Sequence, residues 1–306
     1  MWPRARHKRC FFSRIFERIA EFLRIIGADL NAVTEEKSQR VPSSESVDYV
    51  TTRAGGQIFV NVHGSGPPIV WVAGLGDDHE GWAAQVADFA DTHTCVTFDN
   101  RGVGRSTVLP GPYSMSDFAD DAHDVLTQLD LGPAIAVGSS MGGAICQRWA
   151  LDYPADLSHL VLSSTWGEQD AYLSLLLRHW VSLIESEQPQ RLAESLFLGC
   201  YSGSYMRQHP EIIQEFLATP LPDLDALKAS IAACLGHEAL DELAAVDIPT
   251  LVIAGTLDIV ARVELSERMA QRLPNVALQT IDSGHMIIWE RPDAFAHVVR
   301  DFLNGR

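Results

Sequence analysis

From residue 47 onward, the apolar and polar positions alternate between two patterns. Short uninterrupted apolar runs occur at 69–74 (IVWVAG), 94–99 (TCVTFD), 135–138 (IAVG), 160–164 (LVLSS), 249–255 (PTLVIAG) and 276–282 (VALQTID). A run that is apolar at nearly every position suits a strand covered on both faces. Between these runs the apolar residues recur three and four apart, which predicts helices. Such helices are expected around Trp82–Phe89, over Ser116–Leu129, after Met141, near Val263–Leu273 and up to Leu303. The stretch YVTTRAGGQIFVNVHG places Gly55-Gly56 between two β-type runs and predicts a hairpin. The alternation as a whole predicts an α/β fold, with a mostly parallel sheet flanked by helices on both faces.

The rhythm breaks over 166–245. No buried strand is evident there; Tyr172, Leu175, Leu176, His179 and Leu183 follow helical spacing, and Pro189, Pro210, Pro220 and Pro222 punctuate the stretch. This predicts a helical cap of about 166–245, inserted between two strands at their carboxyl ends, where open α/β sheets hold ligands. At the other end, Phe12, Ile15, Phe16, Ile19, Phe22, Leu23 and Ile26 form one apolar helical face, followed by a polar linker at 31–46. The chain thus divides into a basic amphipathic helix and linker at 1–46 and an α/β domain at 47–306. Arg14, Glu17, Arg18, Glu21 and Arg24 interrupt any run long enough for a signal peptide or a membrane span. Three roles remain open for residues 11–27: peripheral contact with an anionic membrane, packing on the acidic body, or self-association.

Composition narrows the picture. The 306 residues are 46% apolar and 21% charged, as in a soluble globular chain large enough to form a core without staples. The net charge of −17 separates into +4 over residues 1–40 and −21 over the remainder. An acidic body disfavours nucleic acid as a partner. Cys10, Cys95, Cys146, Cys200 and Cys234 are widely spaced, without C-x-x-C, and neither His79-Glu80 nor His237-Glu238 has a second histidine at metalloprotease spacing. We therefore expect no metal, a reduced cytoplasmic setting, and Cys95 and Cys146 as core filler. Gly102-Val103-Gly104 lacks the third glycine of a dinucleotide-binding turn, and no cofactor is expected.

The candidate chemistry centres on Gly138-Ser139-Ser140-Met141-Gly142, a G-x-S-x-G run between a strand and a helix. A sharp strand-to-helix turn needs small residues at 138 and 142 and lifts the Ser140 hydroxyl clear of the sheet. A serine hydroxyl needs a base. His285, in the small-residue loop Asp282-Ser283-Gly284-His285 after the last expected strand, fits better than His63 at a strand end or than His123, His179 and His297 in helical patterns. Asp258, just beyond 249–255, is the carboxylate that would orient the imidazole. The oxyanion donors would be the amides of Met141 and of Leu75, the latter in Gly74-Leu75-Gly76. Trp166, Tyr172 and Leu176, with Trp180, are candidates for the substrate pocket.

With these residues in hand, the chain from about residue 47 to its end resembles the α/β-hydrolase superfamily. The likeness rests on Gly74-Leu75-Gly76, Asp99-Asn100-Arg101-Gly102-Val103-Gly104-Arg105-Ser106, Gly138–Gly143, Asp258 and Gly284-His285. Gly74–Asp78 with Trp82, and Ser163–Trp166, are similar to the branch holding 3-oxoadipate enol-lactonases, esterases and cofactor-free haloperoxidases. Ala73 departs from the histidine frequent in that loop, and Ser140 argues against relatives with a carboxylate nucleophile. The resemblance implies an eight-stranded α/β-hydrolase fold, a chiefly structural D-x-R-G-x-G-x-S turn, and a serine hydrolase acting on a small, largely apolar ester or lactone. The same triad would serve a C–C bond or thioester hydrolase. A ligand-sensing protein that keeps the fold is the alternative from another class.

Overall fold

The expected alternation of faces is visible in a single strand. In β3 (Pro68–Val72), Ile69 and Trp71 enter one hydrophobic core while Val70 and Val72 enter the other, and all four side chains are buried. Both faces of the sheet are covered at its centre, and the apolar runs of the central strands follow from that double burial. The computed structural model describes residues 46–305. The amphipathic helix expected at 11–27, its linker, and the membrane or self-association contact assigned to it lie outside the described residues.

Eight strands are described: β1 (Ser46–Thr51), β2 (Gln57–Gly64), β3, β4 (Thr94–Phe98), β5 (Ala134–Ser139), β6 (Leu157–Ser163), β7 (Thr250–Gly255) and β8 (Val276–Ile281). They form one sheet in the order β1-β2-β4-β3-β5-β6-β7-β8. β1 and β2 form the antiparallel hairpin, β2 joins β4 antiparallel, and every pairing from β4 to β8 is parallel. Arg53, in the hairpin turn, holds Asp124 through Nη2 at 2.7 Å and so ties the sheet edge to the helix beneath.

Up to β6 the helices are α1 (Ala83–Phe89), α2 (Met115–Gln128) and α3 (Met141–Asp152). Ser114 caps α2 through a reciprocal bond with Asp117, so the helix begins one residue earlier than its apolar face suggested. Between β6 and β7 come α4 (Ala171–Glu185), α5 (Pro189–Cys200), α6 (Gly203–Gln208), α7 (Glu211–Ala218) and α8 (Leu224–Leu235). After β7 follow α9 (Val263–Ala270), α10 (Ile287–Glu290) and α11 (Pro292–Leu303). One core packs α2, α3, α9 and much of the β6–β7 insertion; the other packs α1, α10 and α11. No helix among the described residues is long and apolar enough to cross a membrane.

Candidate active site

β5 runs straight into α3 with only Ser140 between them. Ser140 adopts φ 57° and ψ −122°, and its main chain is held on both sides: its N–H donates to Ser163 O at 2.9 Å, and its carbonyl accepts Thr165 Oγ1 at 2.7 Å. The two flanking glycines are obligatory for steric reasons. A β-carbon on Gly138 would fall 2.2 Å from Gly142 O, and one on Gly142 would fall 2.1 Å from Val72 O.

The loops after β7 and β8 bring the other two candidates to this hydroxyl. His285 Nε2 lies 2.9 Å from Ser140 Oγ, and His285 Nδ1 lies 2.8 Å from Asp258 Oδ2. A carboxylate at Nδ1 fixes the proton there and leaves Nε2 free to accept one from the serine. The other oxygen, Asp258 Oδ1, accepts the amides of Val260 at 2.8 Å and Ala261 at 3.0 Å. One carboxylate thus closes its own loop and faces the imidazole. The other histidines considered lie elsewhere: His63 is at the end of β2, and His123 pairs with Asp156. The result is a continuous relay from hydroxyl to imidazole to buried carboxylate, the arrangement that can activate a serine.

Leu75 follows β3 and borders the same cavity as Ser140 and His285. Met141 opens α3, where first-turn amides have no acceptor within the helix. Asn100 Nδ2 donates to Ala73 O at 3.0 Å and so braces the Leu75 loop from β4. The D-x-R-G-x-G-x-S turn is a knot of internal bonds. Asp99 accepts His79 Nδ1 at 2.6 Å and Arg105 N at 2.7 Å, and Ser106 Oγ donates to Asp99 O at 2.6 Å. Burial and the neighbouring Asp99 push Asp78 up to about 7; burial alone would lower His79, but its bond to Asp99 raises it. Asp78, His79 and Asp99 have their donor atoms within 4.8 Å of one another, a clustering that the His79-Glu80 dipeptide alone did not signal.

The cavity above Ser140 is bordered by Trp82, Trp166, Leu173, Leu177, Trp180 and Leu227, among others. Of the candidates for the substrate pocket, Trp166 and Trp180 border this cavity, and Tyr172 and Leu176 do not. Tyr172 is exposed, with the Arg262 guanidinium 4.6 Å from its ring centre, and Leu176 borders a separate depression on the outer side of α4 and α5. Leu173 and Leu177 take the inner positions because α4 buries Leu173, Leu177, Trp180 and Leu183, a face that shares only Leu183 with the expected stripe.

Three further groups were not anticipated as part of the site. Asp77 is a buried carboxylate on the cavity wall, and Cys200 and Cys234 are thiols on the same wall. Burial pushes Cys200 up to about 12 and Cys234 upward as well, so neither supplies a thiolate to compete with Ser140. The doublet Asp77-Asp78 next to Gly76 was the available signal for the first. For the thiols there was none, since their neighbours are apolar.

A protein-family model described as alpha/beta hydrolase fold matches residues 67–292. RutD of Caulobacter segnis, assigned as a carbamate hydrolase, is 29% identical over 266 residues, spanning 84% of this chain and 100% of its own. The 3-oxoadipate enol-lactonase 1 of Acinetobacter baylyi is 27% identical over 268 residues, spanning 84% of this chain and 96% of its own. Among solved structures, a thermophilic esterase from Thermogutta terrifontis matches with a TM-score of 0.77 and 27% identity, covering 85% of this chain and 98% of its own.

Proposed function

The chain belongs to the α/β-hydrolase fold family and is a hydrolase of that fold; on that premise we propose that it cleaves a neutral, largely apolar carboxylic ester or lactone through an acyl-enzyme on Ser140. The observation that carries this reading is the relay of 2.9 Å and 2.8 Å joining Ser140, His285 and Asp258 at an apolar cavity. Ser140 Oγ attacks the acyl carbon as His285 Nε2 takes its proton. Asp258 keeps the Nδ1 proton in place and offsets the imidazolium charge. The Leu75 and Met141 amides receive the oxyanion. His285 then protonates the leaving alkoxide, and a water molecule, deprotonated by the same nitrogen, frees the acid.

The charge of the wall supports the neutral substrate. Among the described residues no lysine or arginine borders the cavity, whereas Asp77 does. The enol-lactone in the Acinetobacter relative's name carries a free carboxylate, for which the described lining supplies no lysine or arginine.

The test is fluorophosphonate labelling of wild type, Ser140→Ala and His285→Ala, followed by a substrate panel. The panel pairs neutral esters and lactones with analogues bearing a terminal carboxylate, and includes a thioester and a C–C bond substrate. Wild type should take up one probe per chain and both variants essentially none. Carboxylate analogues should show kcat/KM at least about 10-fold lower. Equal labelling of Ser140→Ala would overturn the mechanism. Turnover confined to the thioester or C–C substrate would replace the ester and lactone reading.

A further inference from the structure

Glu290 is a buried carboxylate that the relay does not use, five residues beyond His285. It ends α10 and turns back beneath the histidine loop, where three donors converge on it. Its Oε1 accepts Ser202 N at 2.6 Å; its Oε2 accepts Ser202 Oγ at 2.7 Å and Gly284 N at 3.1 Å. Gly284 directly precedes His285. Ser202 belongs to the insertion, where its Oγ also accepts Tyr205 N at 3.1 Å and caps α6. A fourth bond, Met286 N to Cys200 O at 3.0 Å, ties the other side of His285 to the same stretch of the insertion. The packing at this point leaves no slack: a β-carbon on Gly284 would lie 2.6 Å from Ser202 N and 2.7 Å from Glu290 Oε1.

The main chain on both sides of His285 is therefore anchored to Cys200–Ser202, and on one side the anchor is a buried carboxyl group. A loop held only by van der Waals contact could let the imidazole drift, and a displacement of about 1 Å is enough to cost a reaction about 100-fold. We propose that Glu290 is a positioning residue: through Gly284 and Ser202 it fixes the imidazole of His285 against Ser140 and makes the insertion part of the catalytic geometry. This rests on the serine-hydrolase reading above. A carboxylate suits the task because two oxygens accept all three donors. In Glu290→Gln one oxygen becomes an NH2 group, which must face a backbone N–H and leave that donor unpaired.

The experiment uses the full chain and an active-site titration, which separates the amount of competent enzyme from its speed. Glu290→Gln, Glu290→Asp and Ser202→Ala are each labelled with a fluorophosphonate, then assayed on a p-nitrophenyl ester that the wild type turns over. Glu290→Gln should label to near-full stoichiometry but roughly 10- to 100-fold more slowly, with kcat per labelled site reduced in parallel and KM within about twofold. Ser202→Ala keeps both backbone bonds and should lose about threefold or less in kcat. Glu290→Asp keeps the carboxyl group but is one methylene too short to span Ser202 and Gly284, and should fall between the two. It also stands in if Glu290→Gln does not fold. Variants that label to lower stoichiometry but react at the wild-type rate per site would assign Glu290 to fold stability alone and overturn the proposal. A wild type that takes up no probe would overturn the hydrolase reading as well, so the two failures are distinguishable.

Discussion

Ser140 holds a main-chain conformation, φ 57°, that costs a residue with a β-carbon of order 1–3 kcal/mol. The elbow sustains it because the amide and carbonyl of Ser140 are both bonded and because Gly138 and Gly142 let three backbone segments meet. Gly142→Ala puts a methyl group 2.1 Å from Val72 O, and neither is a flexible side-chain end that could swing aside. The expected outcome is a fluorophosphonate labelling rate at least about 100-fold lower, with melting lowered by several degrees from overpacking of about 1–3 kcal/mol. Gly132→Ala, where an added β-carbon meets nothing within 4 Å, should leave both unchanged. A Gly142→Ala protein that labels at the wild-type rate would remove the steric argument for the elbow. The positions of Ser140, Asp258 and His285 were legible in the sequence because each follows an apolar strand run within a short stretch of small residues. Glu290 was not legible. Its partner Ser202 lies 88 positions away, and an acid after Ile287-Ile288-Trp289 reads locally as the polar side of a helix.

At the scale of the element, α4 illustrates why helical phase is harder to read than helical existence. From Tyr172 to Leu177 the sequence is apolar at every position but Ser174, so spacing of three and four residues fits more than one face. The outcome is decided by what lies beneath: Leu173 and Leu177 meet the cavity and Leu176 does not. The central strands posed no such difficulty, because burial on both faces leaves no phase to choose. This difference in α4 has a kinetic consequence. Leu177→Ala enlarges the cavity, and a methylene in an apolar pocket contributes about 1–3 kcal/mol to discrimination. The ratio of kcat/KM for an octanoyl over a butanoyl p-nitrophenyl ester should rise roughly 10-fold. Leu176→Ala should move that ratio by less than about twofold, since its side chain faces the outer depression. Equal shifts in the two variants would refute the inward face assigned to α4.

At the scale of the whole molecule, the insertion leaves and rejoins the sheet through a neck. Gly167 O accepts Ala239 N at 2.7 Å, and Gln147 of α3 reaches both ends, donating to Trp166 O at 3.0 Å and facing His237 Nε2 with its Oε1 at 3.2 Å. Burial, reinforced by the charge of Arg148, pushes His237 down to about 4, so the neck is built around a neutral imidazole. The unfolded chain regains an ordinary histidine near 6.5 and binds the proton more readily, so stability from this group is complete above about 6.5 and is lost as pH falls toward 4. The shift corresponds to about 3 kcal/mol over that window. Asp78 works in the opposite sense. Raised to about 7, it favours the fold when protonated and withdraws that contribution as pH rises from the ordinary aspartate range toward 7. The two are separated by comparing wild type with His237→Gln, which keeps a donor for Gln147 but cannot titrate. Between pH 7 and 5 the wild type should lose more thermal stability than the variant, by several degrees for a domain of this size. Loss of stability from the neck should also precede loss of the β5–α3 elbow, so trypsin should cut within α4–α8 first at pH 5 and spare the sheet. Identical melting profiles for the two proteins across that range would show that His237 does not carry the acid sensitivity of the neck.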